Sequence, residues 1–579
     1  MSTRKTRADS ERLLFHKEKC NIFESGRNSE GNIMRKKNIL SGIWDFSFCG
    51  ENKPSPGQIC AGVQAVPGCF DLTEPYCGKR GYAIYTRKVH AGGKNLLEID
   101  GAGLSGEVYW DGRLLGKIPF AYLAEQFVFD AGPQGEHLLS VILDNRHNAQ
   151  FRPDFDFYGY GGIYGNVTLT PLPEVHIQKL RIATEDYRNG RLLVRAELSA
   201  PADLDAELRF DTGFTVKDAF RKGQLECRVT LPEFRLWSVE HPELHTLTLS
   251  AGEDKITETF GIREFRTEGQ SLKLNGETIK LYGVNRHESF PTTGAAVPPQ
   301  QIAADLAMIK RAGFNFIRGS HYPQRRTLLE LCDKMGLLVW EEAIGWNIKK
   351  TDLTDPEFVR VQLDQAGHMT WNSVNHPCVV IRGFLNETDS QFPESRNVIK
   401  ALYDRIRAVD PHALITYASN KYEKDCCMDL VDIVSMNPYP GWYDSGFKHL
   451  STVDQVAPAL DKLAAAMPQE KPLLISEIGA EALYGFRDPL KTYWSEEYHS
   501  ELLQEVFRYV AASPQFAGVA VWQFADTRSY VNGPDIFGRA RGFNNKGMVD
   551  EYRRPKSAWH AVTAFLKNKI LIPKEEKKP

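Results

Sequence analysis

Short runs in which apolar and polar residues alternate fill the first 265 positions of the chain. Up to about residue 174 the runs are aromatic or β-branched and are separated by Gly, Asn or Asp, as in GIWDFSF, YAIYTRKV, GEVYWDG and HLLSVILDN. A period of two is typical of strands with one buried face, and turn residues between them are typical of antiparallel sheets. Residues 1–174 are therefore predicted to form a β-sandwich domain.

The same alternation continues through residues 175–265, in RLLVRAELS, AELRFD and HTLTLSAG. A stretch of this length suits one small immunoglobulin-like sandwich. It contains no constellation of side chains typical of catalysis, so the chemistry is expected elsewhere.

After Arg266 the pattern changes to strand-like runs followed by helical ones. Ile302, Leu306 and Ile309 recur at helical spacing, and Gly313 ends that helix. Eight apolar runs qualify as buried strands: IKLYGVN from Ile279, FNFIRG from Phe314, LLVWEE from Leu337, CVVIRGFLN from Cys378, LITYAS from Leu414, VDIVSMN from Val431, PLLISE from Pro472 and GVAVWQF from Gly518. Residues 266–579 are therefore predicted to form a (β/α)8 TIM barrel.

Two glutamates stand at strand ends of this predicted barrel. Glu387, in GFLNETDS, follows strand four, and Glu477, in LLISEIGAE, ends strand seven. Parallel barrel strands bring their carboxyl ends to one face, so the two carboxylates are expected to meet over one pocket. Either glutamate alone is better explained as a helix cap or a surface residue. Together, two facing carboxyls are what glycoside hydrolysis requires.

Other strand ends of the predicted barrel carry hydrogen-bonding and aromatic side chains. A pyranose ring offers hydroxyls around its rim and C–H groups on its faces, so this mixture is typical of a sugar pocket. The residues are Asn285, Arg286, His287, Glu288, Arg318, Ser320, His321, Tyr322, Asn437, Tyr439, Trp442, Tyr443 and Trp522.

Composition and charge narrow the class of protein. The 579 residues carry a net charge of −3, so no basic excess favours nucleic acid as a partner. The opening MSTRKTRADSERLLFHKEKC lacks the apolar core of a signal peptide, and no apolar run approaches the roughly twenty residues that span a bilayer. We therefore expect a cytoplasmic protein without membrane contact. The ten cysteines show no CxxC spacing and are expected to be mostly reduced thiols.

Four motifs together resemble glycoside hydrolase family 2. They are GVNRHE at 283–288, SHYP at 320–323, the pair Asn386-Glu387 and SEIGAE at 476–481. The resemblance implies a sugar-binding jelly roll, an immunoglobulin-like sandwich and a catalytic barrel, in the same order as the three domains predicted above. It also implies retaining exo-hydrolysis of a β-glycoside, with Glu387 as the general acid/base and Glu477 as the nucleophile. Asn386 is then expected to bind a sugar hydroxyl, although it also suits a loop cap.

The segment RARGFNNKG at 539–547 follows strand eight and indicates which class of sugar the site binds. Asn544 and Lys546 reproduce an Asn-x-Lys motif by which this chain resembles the β-glucuronidases of the family, where the motif binds the uronic acid carboxylate. A buried carboxylate needs a fixed cation and a hydrogen-bond donor. Arg541 and Arg539 lie close by in the sequence, and either is a candidate to meet the sugar's 3- or 4-hydroxyl.

The resemblance assigns further pocket residues in the first and third predicted domains. DFYGYGGIYGNV at 156–167 is similar to a loop that reaches the active site, with Asp156 at the sugar-hydroxyl position; neighbouring Asp154 is the alternative. Tyr443 is similar to a pocket tyrosine of these enzymes, and Tyr439 and Trp522 are expected to line the same pocket, with a place in the core as the alternative. His321 is also expected to bind substrate.

The sequence thus predicts a retaining exo-β-glucuronidase. The alternatives are a β-galacturonidase or another family 2 exo-β-glycosidase such as a β-galactosidase, and, further off, a non-catalytic carbohydrate-binding protein. The last would be expected to lack one of the two carboxylates, and a neutral-sugar enzyme would not need the Asn-x-Lys motif. The choice between glucuronide and galacturonide stays open at this point.

The mechanism requires no metal or organic cofactor, although His287, Glu288 and Glu341 are candidates to neighbour a structural ion. The expected partners are a small-molecule or oligosaccharide β-uronide and a further copy of the chain, since a homo-oligomer is usual in such enzymes. Only about thirty residues separate Trp346 from His376, too few for a helix and a long lid, so an open pocket mouth is predicted.

Overall fold

A computed structural model of the chain describes residues 33–152, 155–443, 452–529 and 538–570. The opening twenty residues and Asp154 lie outside these ranges. No helix within them is both long and apolar enough to cross a membrane. The nine cysteines within them are free thiols.

The first sandwich packs a six-stranded sheet on a four-stranded one, with every strand pair antiparallel. Burial alternates along its strands because one face meets the other sheet, as in Lys94–Asp100. The larger sheet runs, in spatial order, Arg113–Ile118, Ser105–Trp110, Gly135–Asp144, Tyr82–Ala91, Gly42–Gly50 and Gly62–Val66. The smaller runs Ala124–Asp130, Lys94–Asp100, Val167–Pro171 and Asn38–Ile39.

The second sandwich contains an unforeseen strand. Ile33–Met34, expected in the first domain, instead pairs in parallel with Asp254–Lys255, and Arg35 donates to Asp254 at 2.6 Å. The five-stranded sheet runs Ile33–Met34, Asp254–Phe260, His245–Ala251, Leu204–Phe210 and Thr215–Phe220. It faces the three strands Ile177–Asp186, Arg191–Leu198 and Gln224–Thr230.

All eight predicted barrel strands are present, and all are parallel. Strand five is interrupted at Tyr417, and its two pieces close the sheet by pairing with strands four and six respectively. In chain order the strands are Leu281–Asn285, Phe316–Gly319, Leu338–Glu342, Val379–Gly383, Leu414–Thr416 with Ala418–Ser419, Val434–Met436, Leu473–Ile475 and Phe516–Val521. Their residues are uniformly buried, as expected for strands covered on both faces.

Helices surround this barrel. The predicted helix around Ile302 spans Pro299–Arg311 and buries Ile302, Leu306 and Ile309. The others in the described part of the chain are Arg326–Met335, Lys350–Leu353, Pro356–Asn372, Ser395–Val409, Val456–Ala466, Glu496–Ala512 and Ser557–Ile570. Two of them, Lys350–Leu353 and Pro356–Asn372, fill the connection after strand three, which leaves little chain for a lid.

A loop of the first sandwich reaches the carboxyl face of the barrel. Aromatic packing holds it there: Phe157 of the loop lies 5.1 Å from His287, and Phe151 of the loop stacks on Tyr122, which in turn stacks on Tyr322 of the barrel with ring centroids 3.8 Å apart. The backbone N–H of Tyr158 donates to the carbonyl of Arg528. Asp156 is thereby carried into the barrel mouth.

Candidate active site

Glu387 and Glu477 converge at the carboxyl face of the barrel. Asn437, just after strand six, links their surroundings: its Nδ2 donates to Glu387 Oε1 at 3.0 Å, and its Oδ1 accepts from Ser476 Oγ at 2.6 Å. Each glutamate lies a few residues beyond its strand, as predicted.

Buried Arg318 at the end of strand two orients the Glu477 carboxylate. Its Nη1 donates to Glu477 Oε1 at 2.7 Å, while two nitrogens bind the buried Glu342 at 2.8 and 3.0 Å. The hydroxyl of Tyr439 donates to the other oxygen, Glu477 Oε2, at 2.8 Å. Glu477 is 4% exposed and accepts hydrogen bonds on both oxygens, which fixes the orientation of its carboxylate.

Glu387 is in a different electrostatic setting. Burial, together with the negative charge of Glu477, raises the pKa of the Glu387 carboxyl to about 7, and the Asn437 hydrogen bond offsets this only in part. Its backbone has a φ of 52°, which is uncommon outside glycine, and its N–H donates to Ala418 O at 2.8 Å. One carboxyl is thus disposed to carry a proton beside another that is ionised.

Asn386 has a side-chain donor that the protein leaves unused. Its Oδ1 accepts from Arg318 at 2.9 Å and from Asn437 at 3.1 Å, which fixes the amide orientation. Its Nδ2 is buried and, among the described residues, has no hydrogen-bond partner. Because a buried unpaired donor is unfavourable, this amide is suited to a ligand oxygen next to the two carboxylates.

His321 and Trp522 form an aromatic wall. Their rings stack with centroids 4.9 Å apart, and Trp522 also meets the edge of His287 at 5.3 Å. Burial, reinforced by the charge of Arg318, lowers the pKa of His321 to about 3, so its imidazole is neutral. Its Nε2 lies 3.9 Å from Glu477 Oε1.

The Asn-x-Lys motif forms a buried polar cluster beside this pocket. The Lys546 ammonium is 1% exposed and donates to Tyr443 at 2.7 Å and to Glu481 at 3.0 Å. It also lies 4.9 Å from the Tyr443 ring centroid. Asn544 Nδ2 donates to Asp156 Oδ2 at 2.8 Å, so the first sandwich joins the barrel here.

Arg539, and not Arg541, joins this cluster. Its guanidinium contacts both oxygens of Asp156 at 2.5–3.0 Å and Glu481 at 2.5 Å. Burial alone would raise the pKa of Asp156, but the charge and hydrogen bonds of Arg539, the charge of Lys546 and the Ser529 hydrogen bond together lower it. Arg541 instead donates to Glu551 at 2.9 Å and to Asn545 at 2.9 Å.

Glu481 is a site residue that the sequence reasoning missed. It is fully buried and accepts from Lys546, Arg539 and the backbone N–H of Asn545, the last at 2.7 Å. The available signal was its place in SEIGAE, four residues after Glu477.

The residues weighed as neighbours of an ion have protein partners instead. Glu288 accepts from Arg286 at 2.5 Å and from Arg325 at 2.6 Å, and Glu341 accepts from Ser373 at 2.5 Å. Across the described ranges, no group of three or more His, Cys, Asp or Glu residues is arranged to hold a metal ion.

Family models match most of the chain. Residues 265–569 match the model described as "Glycosyl hydrolases family 2, TIM barrel domain", and residues 175–263 match "Glycosyl hydrolases family 2". Among curated proteins, the β-glucuronidase of Sus scrofa is 28% identical over 426 residues. That alignment covers 70% of this chain but only 64% of the pig protein.

Two solved structures share both fold and sequence similarity with the chain. A family 2 β-galacturonidase from Eisenbergiella tayi, bound to galacturonate, has a TM-score of 0.85 and 32% identity, covering 94% of this chain and 99% of that one. A Faecalibacterium prausnitzii β-glucuronidase has a TM-score of 0.83 and 26% identity, with 94% and 99% coverage.

Proposed function

Because the chain belongs to glycosyl hydrolase family 2, we propose that it is a retaining exo-β-uronidase that removes terminal β-D-glucuronic acid. The observation that carries the substrate class is the buried Lys546 ammonium, which lies 6.0 Å from the ring centroid of Tyr439, the residue that donates to Glu477. Glu481 already pairs with this ammonium, and a sugar carboxylate would add a second hydrogen bond between charged groups that a neutral sugar cannot provide. Asp156, Arg539 and Asn544 form a polar cluster next to Lys546. These hydrogen-bonding groups support binding of the terminal sugar of the substrate beside Lys546.

Hydrogen-bond donors remain for a sugar carboxylate even though the cluster is internally paired. Lys546 donates to two described partners and so retains a third N–H. The Tyr443 hydroxyl accepts from Lys546, which leaves its own proton to donate, and Asn544 Nδ2 uses one of its two N–H groups on Asp156.

In the first step, Glu477 attacks the anomeric carbon while Glu387 gives its proton to the departing glycosidic oxygen. The C–O bond to the leaving group breaks, and an ester forms between the sugar and Glu477. Arg318 and Tyr439 hold the attacking carboxylate in position. The unpaired Asn386 Nδ2 is placed to bind the sugar hydroxyl next to the reacting carbon.

In the second step, the ionised Glu387 takes a proton from water, and the water oxygen attacks the same anomeric carbon. The ester to Glu477 breaks, which regenerates both carboxyls in their starting protonation states. Two inversions give net retention. As Glu477 is neutralised in the ester, the pKa of Glu387 falls, and this matches its change from acid to base.

Product stereochemistry tests this proposal directly. We expect the β-anomer of glucuronic acid to appear first when p-nitrophenyl β-glucuronide is hydrolysed in an NMR tube, followed by slow mutarotation. First appearance of the α-anomer would exclude double displacement, and absence of hydrolysis would exclude the glucuronide.

The pH dependence follows from the raised pKa of Glu387. Since the proton donor must be protonated in the free enzyme, kcat/KM is expected to fall as pH rises through about 7. The fall in kcat/KM should be larger with methyl β-glucuronide than with the p-nitrophenyl substrate, because the methyl glycoside's leaving group depends more on protonation. Glu387→Gln should remove this limb of the profile, and a limb centred near pH 4.5 would contradict the assigned environment.

The Glu481→Gln variant tests the charge balance of the cluster. Glutamine is uncharged, so the variant loses the carboxylate that pairs with Lys546 among the described residues, and we expect destabilisation of about 3 kcal/mol. Free glucuronate supplies the missing charge and should raise the Tm of the variant more than that of the wild type. Equal shifts in both proteins would contradict a carboxylate site at Lys546.

Galacturonic acid is the second candidate sugar. The 32% identical neighbour of known structure is a β-galacturonidase, a closer sequence match than the 26% identical β-glucuronidase. The two uronic acids differ only at C4, and both present the same carboxylate to Lys546.

A further inference from the structure

Two lysines flank the short segment that carries Glu387. On one side, Asn347 N–H donates to Asn386 O at 2.8 Å, and Lys349 follows two residues later. On the other side, Glu387 N–H donates to Ala418 O at 2.8 Å, and Lys421 N–H donates to Ser419 Oγ at 3.1 Å. Loops after strands three and five therefore bring two cations towards the acid/base residue.

Lys421 has an ammonium group without an acceptor in the part of the chain that the structure describes. The residue is half-buried, and no hydrogen bond or ion pair of its Nζ occurs among the described residues. Burial lowers its pKa, while the charges of Asp389 and Glu387 oppose that shift. Lys349 is exposed and donates to Asn347 Oδ1 at 2.6 Å, an uncharged acceptor.

The nearby acids are already occupied by protein donors. Asp425 accepts from three hydroxyls and one backbone N–H, at 2.5–2.9 Å. Asp389 accepts from the backbone N–H of Lys350 at 3.0 Å, and the side chain of Lys350 pairs with Glu394 at 2.9 Å. Both acids therefore accept from protein donors, whereas the Lys421 ammonium has no hydrogen-bond partner among the described residues.

This region is the leaving-group side of the pocket. Glu387 donates its proton to the glycosidic oxygen, so the groups flanking Glu387 neighbour the aglycone and not the terminal sugar. Trp346 lies on this side because it forms a β-bridge with Asn386. Tyr422 lies there too, since its hydroxyl donates to Asn437 O at 3.5 Å. Both aromatic side chains are partly exposed and are therefore available to contact a second pyranose ring.

We propose that this leaving-group subsite takes an acidic saccharide, with a carboxylate or sulfate of the second sugar bound by Lys421 and Lys349. The inference rests on the proposed uronidase function and specifies its substrate class: an acidic oligosaccharide with a terminal β-uronide.

The effect of Lys421 on Glu387 supports a role in binding. The charge of Lys421 lowers the pKa of Glu387, which opposes its service as a proton donor. An uncharged side chain would serve a neutral aglycone better. An anionic aglycone compensates Lys421 and leaves Glu387 more fully protonated when the glycosidic bond is in place.

The test compares kcat/KM on disaccharides in which a terminal β-uronide is linked to a neutral hexose, a hexuronic acid or a sulfated hexose. The wild type is expected to prefer the acidic acceptors about tenfold, with the preference falling at high salt. Lys421→Gln should reduce this ratio to near one, and Lys421→Arg should restore most of it. The exposed neighbour Lys424→Gln is the control and should leave the ratio unchanged.

A second readout distinguishes binding from general damage. With p-nitrophenyl β-uronide, Lys421→Gln should move the Glu387 limb of the pH profile to higher pH, because a cation that lowered its pKa is gone. Preference for only one of the two acidic disaccharides identifies carboxylate or sulfate as the recognised group. Equal rates on acidic and neutral disaccharides in the wild type, or an unchanged ratio in Lys421→Gln, would overturn the inference. No cleavage of any β-uronide would refute the uronidase function itself.

Discussion

Glu477→Gln is expected to lower kcat/KM on p-nitrophenyl β-glucuronide by on the order of 10⁴-fold or more. The amide cannot form the glycosyl-enzyme, so the low-barrier route through two displacements is lost. The side chain keeps its size, and we expect the variant to melt as a folded protein. Steady-state kinetics with a contamination-free preparation measures the loss.

Azide rescue separates the two carboxyl roles. In Glu477→Ala, azide occupies the vacated space and should yield an α-linked uronosyl azide. In Glu387→Ala, the glycosyl-enzyme still forms, and azide should yield the β-linked product. Residual activity of Glu477→Gln within tenfold of the wild type would contradict its assignment as nucleophile, as would a β-linked azide from Glu477→Ala.

Lys546→Met is expected to lower kcat/KM on the β-uronide by on the order of 10²- to 10³-fold. Methionine fills a similar volume but offers neither charge nor donor to the sugar carboxylate. It also leaves Glu481 with Arg539 as its only described cationic partner. The loss should therefore appear for uronides and not for the corresponding neutral glycosides, when each is measured relative to wild type.

A double variant shows how much of the activity lost in Lys546→Met is caused by the charge left on Glu481 without its Lys546 partner. Lys546→Met combined with Glu481→Gln removes both members of the buried pair, so it should recover stability relative to either single variant. It should not recover uronide turnover. Recovery of turnover would mean that Lys546 acts only by neutralising Glu481. The exposed Lys567→Met serves as the matched control.

The fold and the two carboxylates follow from local sequence patterns. Buried parallel strands leave continuous apolar runs, so each barrel strand was predictable, and Glu387 and Glu477 gain meaning by their place at strand ends. The break in strand five at Tyr417 and the pairing of Ile33–Met34 with the second sandwich were not predictable. Both depend on contacts between distant segments.

The buried polar cluster around Lys546 was harder to predict from the sequence than the barrel strands were. Arg539 and Arg541 lie two residues apart in one basic run, and composition does not distinguish them. A φ of 64° at Arg541 turns the backbone, so that one guanidinium meets Asp156 and the other meets Glu551. Glu481 was missed because its role depends on which cations surround it in space.

The most direct test of the uronide assignment is release of p-nitrophenol from its β-glucuronide, β-galacturonide and β-galactoside by the wild type, Lys546→Met and Lys567→Met proteins. One or both uronides should be cleaved at least about 10²-fold faster than the galactoside by the wild type and the control. This ratio should collapse in Lys546→Met. A galactoside cleaved as fast as the uronides, with no dependence on Lys546, would contradict the account.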